Sequence, residues 1–98
     1  RVKIKPFDYL SERPATIESF VSGELKEDIA VEQNRRLLNV PIKGRQAIYG
    51  ILQVKAPVNY SFTSPEKEFI RMLAQASGNA LEFMAGYAAD GRRKKEGI

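Results

Sequence analysis

The chain has 98 residues, 43% hydrophobic and 29% charged, with a formal net charge of +4, a composition that suits one small globular domain rather than a disordered or multidomain chain. It contains no Cys, His or Trp, which removes disulfides, thiol nucleophiles, zinc–thiolate sites, imidazole ligands and a Ser-His-Asp triad from the chemistry of these residues. No apolar run approaches the ~18 residues of a membrane span. Arg1 in place of an initiating Met suggests a piece of a longer polypeptide or a trimmed one.

In chain order, 1–5 alternates Val2 and Ile4 with basic residues, the pattern of a short half-buried strand that Pro6 ends. Phe7, Tyr9 and Leu10 add bulk to the connection. Pro14 suits the first position of a helix over 14–22, Ile17, Phe20 and Val21 share a face, and Gly23 offers a left-handed cap. Residues 24–35 are ambiguous between a second helical piece and a mobile loop. Leu38, Val40 and Ile42, then Ile48, Leu52 and Val54, alternate on either side of Lys43-Gly44-Arg45-Gln46, which predicts a hairpin of strands 36–43 and 47–56. Gly44 can take a positive φ in the turn, Pro41 should face an edge or bulge, and Gly50 marks a close approach in mid-strand. The second strand is apolar on both faces and should be central.

Ser64-Pro65-Glu66 starts a helix, with Ser64 as N-cap, running to about Ala89, on the order of 37 Å. Phe69, Leu73, Ala76, Ala80 and Phe83 form one line along it; Ile70, Ala74, Ser77, Leu81 and Met84 form another. Either both serve the core, or one packs on the sheet and the other, Ile70, Ala74, Ser77, Leu81 and Met84, meets a second copy in a homodimer. Gly78 and Gly86 each cost about 1 kcal/mol in a helix and point to something packed closely over them. Asp90-Gly91 should end the helix, leaving 90–98, with Arg92, Arg93, Lys94 and Lys95, as a basic tail or linker.

Four stretches in order, Phe20-Val21-Ser22-Gly23-Glu24, Leu38-Asn39-Val40-Pro41-Ile42, Ile48-Tyr49-Gly50-Ile51-Leu52-Gln53-Val54, and Phe62-Thr63-Ser64-Pro65-Glu66 continuing to Ala80-Leu81-Glu82, resemble the second half of a GAF domain over about residues 16–84. The resemblance implies an abbreviated GAF-like domain over 1–89. Its fold class would be α+β (α/β), an antiparallel sheet packed by a long C-terminal helix. It further implies a cytoplasmic, non-enzymatic sensory or dimerisation module of a signalling protein, able to bind a small-molecule effector. The family's Asn-Lys-x-Phe-x-Asp-Glu pattern for cyclic nucleotides is absent, and without Cys or His neither chromophore attachment nor thiol redox chemistry is open. The effector pocket implied by the resemblance would draw on Phe7, Tyr9, Phe20 and Arg35, with no metal and no cofactor.

Other chemistries find less support. Glu27-Asp28 and Glu66/Glu68 are paired carboxylates, but the first lies in a polar stretch and the second where helix starts ordinarily carry acids. No phosphate-loop spacing occurs. The basic termini could contact nucleic acid or phosphate, yet the body lacks a basic stripe interleaved with aromatics, so nucleic acid is not the expected partner. A carboxylate-dependent enzyme is the remaining alternative.

Overall fold

Proline and glycine set the limits of the first helix. In α1 (Pro14–Ser22) Pro14 occupies the first turn, and Gly23 takes φ 73°, donating its N–H to the Ser19 carbonyl. The computed structural model describes residues 2–3 and 12–96, with side chains from 12 to 86. Phe7, Tyr9 and most of the first predicted strand lie outside the described residues, β1 being Val2–Lys3.

Residues 24–35 form neither a helix nor a loop. They hold strand β2 (Lys26–Ala30) and a single 3-10 turn, Val31–Gln33. Asn34 at φ 53° donates its N–H back to Val31, closing the tight connection to β3. The segment's own pattern is uninformative because its strand is made by its neighbour: β2 pairs along the first half of β3 (Arg35–Lys43), with Lys26 opposite Asn39 and Ala30 opposite Arg35. β3 in turn pairs with β4 (Ile48–Pro57), and the sheet order is β1-β4-β3-β2, all antiparallel. The hairpin strands match expectation to within a residue. β2 stops opposite Asn39, so Pro41 lies on a free stretch of β3, where its missing N–H costs no ladder bond. One residue further on the β3–β4 register slips by one, between the pairs Ile42–Gly50 and Lys43–Ile48. Gly50 sits beside this bulge, and no atom lies close enough to explain the glycine, contrary to the expected close approach.

The fold is α+β in three layers, α1 on one face of the sheet and α2 (Ser64–Glu96) on the other. Alternation along the strands divides the chemistry. Toward α2 point Leu38, Val40, Ile42 and Leu52, packed with Ala74 and flanked by Leu25, Val54, Phe62 and Ile70. Toward α1 the layer is mixed: Leu37 and Ile51 alternate onto this face as buried apolar residues, and beside them Thr16 and Ser19 of the helix and Asn39 of β3 are fully buried. Thr16 Oγ1 donates to Asn39 Oδ1 (3.0 Å), as does Gln53 Nε2 (2.9 Å). Ser19 Oγ lies 2.6 Å from the Glu24 carbonyl and 3.3 Å from that of Asn39, and Asn39 Nδ2 reaches the Lys26 carbonyl at 3.3 Å. Every member has a partner, which is what makes a polar layer tolerable in a core.

Candidate functional site

Helix α2 is the dominant surface feature, and different devices fix its start and its middle. At the start, Thr63 rather than Ser64 is the cap. Its Oγ1 accepts from the Glu66 N–H (3.2 Å), while Glu66 Oε1 accepts from the Thr63 N–H (2.8 Å). The Tyr60 hydroxyl also donates to Glu66. The Thr63 N–H, helped by Tyr60, holds the Glu66 carboxyl below its ordinary range, and the hydrogen bond to Glu66 in turn raises the Tyr60 hydroxyl. Further along, Glu82 grips the tip of the β3–β4 hairpin: its two carboxylate oxygens accept the N–H groups of Arg45 and Gln46, each at 2.8 Å. Those N–H groups, Gln46 first and then Arg45, lower the Glu82 pKa. Gln75 Nε2 adds a bond to the Lys43 carbonyl at 3.2 Å.

The turn lies so close that a Cβ at Gly78 would fall on the Lys43 carbonyl, which accounts for this glycine as expected. Gly44 has a different reason from the expected one. Among the described glycines only Gly23 has a positive φ, and a Cβ at Gly44 would instead collide with the Glu82 side chain. Gly86 has open space around it, so its expected close packing is absent. The helix also continues through Asp90-Gly91 to Glu96. An Asp-Gly pair costs about 1 kcal/mol in propensity, and a run already helical for about seven turns absorbs that without stopping.

The two lines along α2 have exchanged the roles expected of them. Ala74 is fully buried in the core and Ile70 packs against it, so both face the sheet rather than a second copy. Ser77 is half-buried and its hydroxyl donates to the Leu73 carbonyl of its own helix (2.9 Å). Leu81 and Met84 of that line are exposed, at the edge of the contact. The outward line is the other one. Phe69 is 67% exposed, Leu73 45% and Phe83 73%, with Ala76 and Ala80 exposed between them and Met72 (63%) and Met84 (64%) beside them. Steps of four and three alternate along Phe69, Leu73, Ala76, Ala80 and Phe83, an average of 3.5 residues that makes a straight seam for a second helix. No charged residue interrupts it. Comparison with protein-family models, with curated proteins and with solved structures gives no match. The site must therefore be read from its own chemistry.

Of the expected effector residues, the two described ones, Phe20 and Arg35, do not line a common recess. Phe20 is half-buried on α1, one residue beyond Ser19, whose hydroxyl reaches Asn39. Arg35 is exposed four residues away along β3, about 13 Å at strand spacing, and donates to the Asn34 carbonyl at 3.0 Å. The carboxylates Glu27 and Asp28 point to opposite faces of β2. Glu27 pairs with Lys67 and with Arg36 (3.5 Å), and Asp28 with Arg13 (2.5 Å), whose pKa this bond raises. They do not form an acid–base pair. Among the described residues no cluster of carboxylates is placed to hold a metal, and no helix is long and apolar enough to cross a membrane.

Two recesses flank α2. One, of about 460 Å³, runs from the Gly23–Leu25 turn along the free edge of β3 to Lys43, Arg71 and Gln75. The other, of about 570 Å³, is apolar and lies at the start of α2, walled by Val54, Ala56, Tyr60, Phe62 and Phe69. Neither includes Phe20 or Arg35. Sequence reasoning identified the outward row as a line but gave it the inward role. The sign that could have separated them is Gly78, which lies on the same side of the helix as Ala74 and marks the side pressed against the sheet.

Proposed function

We propose that this chain is a non-enzymatic dimerisation and sensory module of GAF type, acting in the cytoplasm as part of a signalling or regulatory protein. One observation carries the reading: the exposed, uncharged row of Phe69, Leu73, Ala76, Ala80 and Phe83 on a helix whose opposite side is already satisfied by the sheet. An apolar stripe of this length on a soluble surface marks an interaction site. Its 3.5-residue spacing suits another helix better than a flat or irregular partner. A long helix shared between two copies is also a means of passing a change in one body to whatever follows it in the chain.

A small-molecule effector belongs to the same reading. The recess bordered by Lys43, Arg71 and Gln75 sets two cations, Arg71 being paired with Glu68, against one acid, Glu24, on its wall, and is the place where such an effector would sit. Sedimentation of the full chain over a concentration series tests the central claim. The expected result is a reversible dimer that Phe83→Glu and Leu73→Glu each convert to a monomer while the far-ultraviolet circular dichroism is kept. A wild-type chain that stays monomeric at millimolar concentration overturns it.

A further inference from the structure

The same row holds information about direction. It rests on the self-association just proposed, and we infer that the two α2 helices pair antiparallel, crossing near Gly78, so that Leu73 of each copy meets the partner's Phe83. Four observations on size, charge and extent lead there.

The row is symmetric in side-chain size about its middle. Ala76 and Ala80, the small members, stand two residues on either side of position 78, and Leu73 and Phe83, the large ones, stand five residues on either side. Reversing the helix about this point maps small onto small and large onto large. A two-fold axis through position 78 therefore sets Ala76 against the partner's Ala80, where the helices approach most closely, and Leu73 against the partner's Phe83.

Charge selects this arrangement over the parallel one. The first turns of α2 are balanced, Glu66 and Glu68 against Lys67 and Arg71, whereas its last turns carry Arg92, Arg93, Lys94 and Lys95 against Asp90 and Glu96 in sequence. A parallel pair would set the two basic runs side by side. The antiparallel pair keeps the two runs at opposite ends of the seam and opposes the two helix dipoles.

The apolar surface also extends in the right direction. The recess walled by Phe69 and Phe62 continues the row beyond Leu73 toward the start of the helix. In the antiparallel register the helix residues of this recess, 65–70, lie opposite 86–91, Gly-Tyr-Ala-Ala-Asp-Gly, of which the stretch 86–89 facing Phe69 is uncharged.

The area is sufficient for association. Given their exposures, the large residues Phe69, Met72, Leu73, Phe83 and Met84 leave roughly 600 Å² open per copy, taking an aromatic side chain as ~200 Å². A two-fold seam then covers about 1,200 Å², the lower bound of specific interfaces.

The absence of cysteine makes the test direct, because each introduced thiol is the only one present. Leu73→Cys and Phe83→Cys are prepared separately, confirmed as dimers by sedimentation, and oxidised alone and as a mixture. The expected result is little disulfide dimer from either alone and at least a five-fold gain on mixing. Leu73→Cys cross-linking to itself as efficiently as to Phe83→Cys means a parallel pair. That overturns the direction and leaves self-association standing, whereas a wild-type chain that sediments as a monomer overturns both. Should the seam variants dissociate, a nitroxide on Glu68→Cys, an exposed position outside the row, reports on the intact seam. The antiparallel pair sets the two labels about 30 Å apart along the axis, and a parallel pair brings them within about 20 Å.

Discussion

Two glycines of the same helix should respond to alanine with opposite signs. At Gly78 the new Cβ lands on the Lys43 carbonyl, which is backbone and cannot swing aside as a side chain would. The helix gains up to about 1 kcal/mol of intrinsic propensity from Gly→Ala. Against this stands an overpacking cost of about 1–3 kcal/mol, at its upper end here because the hairpin tip must move as a unit. The net expectation is a loss of about 2 kcal/mol, or roughly 8–16 °C in Tm for a domain of this size. At Gly86 nothing lies near the added carbon, so only the propensity remains, a gain of about 0.5–1 kcal/mol. Urea unfolding followed by circular dichroism, at one fixed protein concentration so that association contributes equally, measures both. A Gly78→Ala variant as stable as the wild type would refute the close packing of hairpin on helix, and with it the account of why the row through Ala74 faces inward.

Three further outcomes follow from the same geometry. Asn39→Ala leaves the Lys26 carbonyl and the side chains of Thr16 and Gln53 short of a partner in a buried layer, and should cost about 1–3 kcal/mol for each group left unsatisfied, read from the urea midpoint. Leu38→Ala, emptying the centre of the α2 face, should cost about 2–5 kcal/mol by the same assay. Glu66 and Glu82 are both held below the ordinary carboxylate range by backbone N–H groups. Their contribution is present above the unfolded value of about 4.3 and is lost as the pH falls through their lower folded values. Stability should therefore decline below about pH 4.3, and Glu82→Gln should flatten that decline; an unchanged acid limb in this variant would count against the role of Glu82 as the hairpin's acceptor.

Much of the fold was legible because local and global preferences agree in it. Pro14, Gly23 and the alternation from Leu38 to Val54 each specify one structure, and that structure forms. Residues 24–35 were not legible, because β2 owes its existence to pairing with β3 and its own side chains state no period. The helix end was misread at Asp90-Gly91 for a related reason: a weak local stop was weighed without the length of helix behind it. The site was half legible. The two lines on α2 follow from spacing, but which one faces the sheet depends on where the hairpin tip presses, and that contact joins residues more than thirty apart in sequence, such as Lys43 with Gln75 (|i−j| = 32). The buried Thr16, Ser19 and Asn39 gave no signal of their own, since isolated polar residues read equally well as surface.

The polar layer under α1 gives the two sides of the sheet different mechanical characters. The apolar part of the α2 contact weakens gradually with displacement, and its directional bonds, from Glu82 and Gln75, are confined to the hairpin tip. A hydrogen bond is lost once its angle and length leave a narrow range, and the bonds joining Thr16, Ser19, Asn39 and Gln53 share members. Lifting α1 must therefore break them together and admit water to the amides they leave behind. Such a shared network predicts that α1 opens as one unit rather than by degrees. Slow amide exchange across α1, collapsing as one unit rather than residue by residue, is how that opening would be seen.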